Sequence, residues 1–255
     1  MMVEWELVSY CNYNCFYCKL PKIKTETNIM RIDDFIENRL SDYRDIILFC
    51  FGGEPFLHPQ LNHIVKKLHE CNQRFKFQTN LSNESVEGIK NTNQQIDIGI
   101  SVHPTEVDID SITSNIMEIE KMDNINIKNI DVMFASNKSL EYYREIKRLV
   151  LFKDITLVPV SGFYETESDK WIKRYNKLRD KYKKYKIYQF DDSIFNGEYR
   201  TDIWEKQITG GVVTKGKPCM YKDKYILFDS MLNEYNCCYR MNIKDNCVNS
   251  RCFFM

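Results

Sequence analysis

From residue 3 to about residue 190, short runs rich in β-branched and aromatic residues alternate with longer polar stretches of helical period. This alternation limits the fold more than any other feature of the chain. Strands are expected at 4–9, 45–50, 75–79, 96–102, 127–134 and 155–160. Helices are expected at roughly 31–41, 59–72, 83–91, 109–122, 139–150 and 167–185. Strands separated by helices of this length build right-handed βαβ units and a parallel sheet. Six such units suffice for a partial barrel, although periodicity alone does not separate that from an open doubly wound sheet.

After about residue 190 the alternation stops. Residues 191–218 read as an irregular connector with Gly210, Gly211 and Gly216. Two short runs, 225–228 and 234–237, then flank Asp229-Ser230-Met231-Leu232-Asn233 in the manner of a β-hairpin. The expected organisation is an α/β unit over 1–190 and a small Cys-rich unit over 191–255. The charged run 173–186 reads as a solvated helix face.

Composition excludes several classes of function. Lys plus Arg and Asp plus Glu each number 36, so the net charge is zero and nothing favours a nucleic-acid partner. No basic segment followed by an apolar one opens the sequence, and no apolar run approaches the ~18 residues that a membrane span needs. A cytoplasmic protein is expected. Ten cysteines are then anomalous, because a chain of this size in a reducing compartment has no need of disulfide staples. Three lie within residues 11–18 and five within 219–252, and that clustering points to metal. Cys50 and Cys71 stand alone and read as small packed hydrophobes. Of the four histidines, His58, His63, His69 and His103, only His103 is placed just past a strand end where it would face substrate. Its plainer reading is a residue held extended by Pro104.

Cys11, Cys15 and Cys18 sit where the first strand gives way to a loop, at spacings of four and three. Three thiolates there can converge on one inorganic core. They would leave one iron of a four-iron cube without a protein ligand, whereas a closed zinc site needs a fourth donor. The segment Cys11-Asn-Tyr-Asn-Cys15-Phe-Tyr17-Cys18 resembles the Cys-x3-Cys-x-aromatic-Cys motif of the radical S-adenosylmethionine (SAM) superfamily. Phe51-Gly52-Gly53-Glu54-Pro55, after the second strand, resembles the same family's Gly-Gly-Glu-Pro segment. The resemblance spans about residues 4–160 and implies a partial (β/α)6 TIM-like barrel. It implies a [4Fe–4S] cluster on Cys11, Cys15 and Cys18 that binds and cleaves SAM to a 5′-deoxyadenosyl radical. It further implies that Gly52, Gly53 and Glu54 hold the SAM methionyl group, with Tyr17 beside the adenine and Thr79 and Ser101 as secondary contacts. A flavodoxin or ferredoxin would donate the electron.

The second cysteine group, Cys219, Cys237, Cys247 and Cys252, resembles the auxiliary-cluster hairpin of the SPASM and Twitch branch. That resemblance implies a second [4Fe–4S] cluster on a Twitch-like C-terminal extension. Cys238 rivals Cys237, and a four-cysteine zinc site has the same spacing. The resemblance to short Twitch proteins implies dehydrogenation of a small sugar-like or cyclitol metabolite. Crosslinking or epimerisation of a ribosomally made peptide is the alternative, set second because the first strand starts by residue 4 and leaves no room for a leader-binding domain ahead of it. A non-catalytic zinc-binding protein is the reading from another class. No acid or base is selected by the sequence, though Tyr164 and Glu165 stand where the barrel mouth is expected.

Overall fold

The computed structural model describes residues 1–18, 29–134, 138–150, 155–159, 212–213, 225–236 and 251–252. Six strands form in chain order: β1 (Met2–Val8), β2 (Leu48–Gly52), β3 (Phe75–Thr79), β4 (Ile96–Val102), β5 (Ile125–Phe134) and β6 (Ile155–Pro159). Between them lie α1 (Ile29–Asp34), α2 (Leu61–Glu70), α3 (Asn83–Lys90), α4 (Ile109–Ile119) and α5 (Lys138–Leu149). The helix expected over 31–41 is divided: α1 passes into a π-helical turn, Phe35–Arg39, and then a 3-10 turn, Ser41–Tyr43.

The six strands are parallel and lie in sequential order, each beside its chain neighbour. That order decides between the two architectures left open by periodicity. Right-handed crossovers that always step the same way put every helix on one face of the sheet, so the sheet curls with its helices outside. A doubly wound sheet would reverse direction at a switch point. The fold is a partial TIM-like barrel.

Alternation along the strands gives the two faces opposite characters. Trp5, Leu7, Leu48, Phe77, Ile98, Ile100, Ile130, Val132 and Leu157 join the helices' Phe35, Ile64, Leu68, Ile89, Ile116 and Tyr143 in one buried apolar core. The residues between them, pointing the other way by the two-residue period, include Glu4, Glu6, Phe49, Phe51, Lys76, Gln78, Ser101, Asn129, Asp131 and Thr156. The barrel interior therefore carries polar groups where stability alone would favour branched aliphatics.

The C-terminal hairpin is β8 (Tyr225–Phe228) and β9 (Glu234–Tyr235). β8 pairs in parallel with β1, so the hairpin extends the barrel sheet at that edge. Its turn is tied by the Asp229 carboxylate, which accepts from the Met231 and Asn233 amides at 2.9 Å. Arg39 donates to the Leu232 carbonyl at 2.6 Å and pairs with Glu234 at 2.9 Å. β7 (Val212–Val213) and β10 (Arg251–Cys252) form a separate antiparallel pair. No helix among the described residues is long and apolar enough to cross a membrane.

Two outcomes are expected from this packing. A Cβ at Gly88 in α3 would stand 2.3 Å from the Phe56 carbonyl oxygen, a backbone atom that cannot swing aside. Helix propensity alone makes Gly→Ala favourable by ~1 kcal/mol; here the overlap dominates, and Gly88→Ala should lose about 1–3 kcal/mol in denaturant unfolding. Inside the barrel, burial raises the Glu4 carboxyl from its ordinary 4.5 to about 7, opposed by the Tyr225 hydroxyl that donates to it. Between those values the folded state holds a proton that the unfolded chain has released, so stability falls as pH rises from about 4.5 to 7. Glu4→Gln should flatten that part of the pH–stability curve, by on the order of 1–3 kcal/mol across the window.

Candidate active site

The loop that leaves β1 is fastened to β2 by main chain alone. The Gly53 amide donates to the Val8 carbonyl at 2.7 Å and the Glu54 amide to the Tyr10 carbonyl at 2.8 Å. The approach admits no side chain. A Cβ at Gly53 would lie 1.8 Å from the Tyr10 oxygen. At Gly52, whose φ is +132°, it would lie 2.2 Å from the Val8 oxygen. The pair of glycines thus works first as the seat of the cysteine loop.

Glu54 secures the next strand. Its side chain is fully buried, and its carboxylate accepts from the Thr79 hydroxyl at 2.9 Å, the Asn80 amide at 2.7 Å and the Phe56 amide at 3.2 Å. Burial outweighs these donors and raises the carboxyl to about 7. Thr79 also accepts from the Leu81 amide at 3.0 Å. Thr79 and Glu54, both expected from the sequence as cofactor contacts, are therefore turned toward each other. Ser101, on β4, accepts from Gln78 at 2.7 Å.

The cysteine loop draws further support from the ends of β3 and β4. Asn12 donates to Ser82 at 2.7 Å and to Glu84, and accepts from Asn80 at 2.9 Å. Asn80 also reaches the Cys11 sulfur at 3.6 Å, and the Tyr13 amide reaches it at 3.4 Å. From beyond β4, Glu106 accepts from the Asn14 amide at 3.0 Å. His103 Nδ1 lies 2.7 Å from the Tyr17 hydroxyl and 3.4 Å from the Cys15 sulfur, with its ring stacked on Tyr17. These supports lie at or shortly past the C-terminal ends of β3 and β4, on the side where parallel α/β folds bind ligands. Asn12 and Glu106 carry no sequence signal of their own, while Asn80 stands beside Thr79 at the strand end that the family resemblance marks. The sequence signal for His103 is its position just past the fourth strand.

Cys11, Cys15 and Cys18 are all free thiols on this one loop, half-buried, buried and exposed respectively. The Cys18 amide donates to the Cys15 carbonyl at 3.1 Å, closing a turn between them. Burial pushes the Cys15 thiol up to about 12 and Cys11 upward as well. Among the described residues no three His, Cys, Asp or Glu side chains close on a common metal position. The donor chemistry nevertheless suits a soft metal core: three free thiols on a short loop, hydrogen-bond donors already at two sulfurs, and a backbone seat that holds the loop over the strand ends.

Below this loop the inward face of β3–β6 carries a connected polar layer. Lys76 donates to Asn129, Asn129 to Asp131 at 2.6 Å, and Thr156 to the other Asp131 oxygen. Burial raises the Asp131 carboxyl above the usual carboxylate range, opposed by Thr156 and by the Lys76 charge. Of the remaining residues singled out from the sequence, Cys50 is buried in the core and Cys71 caps α2. His58 accepts from the Gln60 amide, His63 pairs with Asp33 and His69 meets the Gln95 carbonyl, which are structural roles. Cys219, Cys237, Cys247, Tyr164 and Glu165 lie outside the described residues, and of Cys252 only the main chain, in β10, is described.

The glycine seat makes a direct expectation. In Gly53→Ala the loop must move off β2, so Cys15, now buried, should alkylate at a rate close to that of exposed Cys18, with a stability loss of about 1–3 kcal/mol. An unchanged order of thiol reactivity would mean that the loop is held elsewhere.

Comparison with known proteins agrees with the geometry. Residues 5–108 match the Radical SAM superfamily. A Helicobacter pylori UPF0026 protein is 35% identical over 68 residues, 23% of this chain and 22% of that protein. Among solved structures, Streptococcus suis SuiB bound to its precursor peptide SuiA superposes with a TM-score of 0.57 at 11% identity, over 99% of this chain and 63% of SuiB. SuiB bound to S-adenosylmethionine gives 0.53 at 12% identity, over 93% of this chain and 58% of SuiB. The anSMEcpe complex with AdoMet and the Cp18Cys peptide gives 0.54 at 17% identity, over 93% of this chain and 74% of that one. The chain thus spans about three-fifths of the length of SuiB. It has the fold of these proteins, and over residues 5–108, the stretch that contains the whole cysteine loop and its glycine seat, it matches the radical SAM superfamily.

Proposed function

We propose that this protein is a radical SAM enzyme that modifies a peptide. The observation that carries the reading is the main-chain clasp of Gly53 and Glu54 on Val8 and Tyr10, which sets a three-cysteine loop over the strand ends of a partial barrel. Cys11, Cys15 and Cys18 would hold a [4Fe–4S] cluster. The Gly52–Glu54 main chain, with Tyr17 and Ser101, would hold SAM, and Thr79 would act through Glu54. When bound, cluster and SAM together supply a 5′-deoxyadenosyl radical that takes a hydrogen atom from substrate.

The chain's own residues do the remaining work. The loop and its supports keep Cys15 out of water and Cys11 half-buried, and leave Cys18 exposed. The inward layer of Lys76, Gln78, Ser101, Asn129, Asp131 and Thr156 offers both donors and acceptors, as a substrate rich in amides requires. Phe49 and Phe51, stacked at 6.1 Å, give that chamber an apolar wall. Peptide is preferred as substrate because SuiB and anSMEcpe, which share the fold, were solved with peptides bound. The sugar-like or cyclitol metabolite expected from the resemblance to short Twitch proteins finds no support in these likenesses. A second cluster on Cys219, Cys237, Cys247 and Cys252, and a flavodoxin or ferredoxin as electron donor, belong to the same proposal.

Anaerobic reconstitution tests it. The wild-type protein should take up iron and sulfide and release 5′-deoxyadenosine from SAM with dithionite. The Cys11→Ala/Cys15→Ala/Cys18→Ala variant should release none. About four irons kept by that variant would locate a second cluster in the tail. Zinc in place of iron in the wild type would instead establish the non-catalytic reading. Deuterium appearing in 5′-deoxyadenosine from deuterated peptides identifies the substrate class, whereas deuterium only from sugars or cyclitols overturns the peptide assignment.

A further inference from the structure

We propose that His103 is a positioning residue that presents its Nδ1–H to the Cys15 sulfur and the Tyr17 oxygen together, and thereby sets the reduction potential of the cluster that Cys15 would hold. The inference rests on the radical SAM reading and adds to it a residue that neither cysteine motif contains.

The geometry is specific to one ring atom. Nδ1 stands 2.7 Å from the Tyr17 hydroxyl and 3.4 Å from the Cys15 sulfur, so a proton carried on that nitrogen would face both atoms. The ring is held on two sides: it lies nearly parallel to Tyr17, at 16°, and meets Tyr13 edge-on at 81° with centroids 5.9 Å apart. Its main chain is fixed as well. The His103 carbonyl accepts from the Glu106 amide at 2.9 Å and the Val107 amide at 3.3 Å, a turn that begins where the buried β4 residue Val102 ends the strand. A ring confined in this way has little freedom to point Nδ1 elsewhere.

The second sulfur of the loop shows the same provision. Cys11 is approached by the Tyr13 amide at 3.4 Å and by Asn80 at 3.6 Å. A donor aimed at a cysteine sulfur favours the form with more negative charge on that sulfur. For a ligated cluster this is the reduced form, and hydrogen bonds to the sulfurs are among the determinants of its potential. Removing the His103 donor should make reduction harder. Tyr17 would lose one of its hydroxyl's partners and the ring stacked on it in the same change.

Asn and Gln distinguish this role from simple packing, because the Asn amide nitrogen can occupy the place of Nδ1 whereas that of Gln reaches the place of Nε2. Iron content is measured first for wild type, His103→Leu, His103→Asn and His103→Gln, and the loaded proteins are then titrated anaerobically with the midpoint followed by electron paramagnetic resonance. The Leu and Gln variants should shift to a more negative midpoint, and the Asn variant should stay with the wild type. Should the Leu variant fail to hold iron, the Asn–Gln pair carries the comparison. Equal midpoints in Asn and Gln, or a Leu midpoint equal to wild type, overturn the inference while leaving the radical SAM reading intact. A wild-type protein that takes up no iron overturns both.

Discussion

Two main-chain hydrogen bonds, Gly53 to Val8 and Glu54 to Tyr10, hold the functional end of this molecule together. Each is an ordinary amide–carbonyl bond with a net worth of about 1 kcal/mol. Their importance comes from what the contact excludes. Because Cβ atoms at Gly52 and Gly53 would lie 2.2 and 1.8 Å from carbonyl oxygens, the β1 loop and the β2 end can meet only backbone to backbone. That contact sets the height of the cysteine loop above the barrel. The side-chain supports from β3 and β4, at Asn80, Ser82, His103 and Glu106, then fix its tilt. Glu54 links the two levels, since its amide is part of the clasp and its carboxylate receives the end of β3.

The barrel interior shows the opposite balance. Its outward face is a continuous apolar core, which supplies the stability expected of a domain this size. Its inward face holds Lys76, Asn129, Asp131 and Thr156 in one chain of hydrogen bonds. Burying polar groups is unfavourable unless each finds a partner. Here they find one another, so the layer survives desolvation without contributing what aliphatic packing would. Stability is forgone on one face only, below the cysteine loop, where the proposed function would place the substrate.

The parts legible in the sequence are those governed by period and local chemistry. β3 and β4 form over the same residues that alternation marks, because Phe75, Phe77 and the Ile96–Ile98–Ile100–Val102 series all turn into one core. β2 runs later than expected, Leu48–Gly52 rather than 45–50, since it continues to Gly52, which pairs with Val8. The cysteine and glycine motifs were visible as residues, but their relation was not. The family resemblance implies Gly52–Glu54 and Thr79 as ligand contacts; the structure uses the glycines as a seat and joins Thr79 to Glu54. Long-range partners leave no periodic trace. His103 meets Cys15 across 88 residues, Asn80 meets Cys11 across 69, and Ser9 meets Ser230 across 221. Nor could spacing show that the C-terminal hairpin would pair with β1, because an edge strand accepts any suitable partner.

That last pairing bears on how the cysteine loop is held. With β8 and β9 added beyond β1, the described sheet runs from β6 at one edge to β9 at the other. The strand from which the cysteine loop departs is therefore an internal one: β1 lies between β2 and β8 and is hydrogen-bonded on both sides. An edge strand carries a row of unpaired main-chain groups, whereas an internal strand does not. The loop that bears Cys11, Cys15 and Cys18 thus leaves the sheet from a strand secured by both neighbours, and the main-chain clasp of Gly53 and Glu54 continues that pairing past its end.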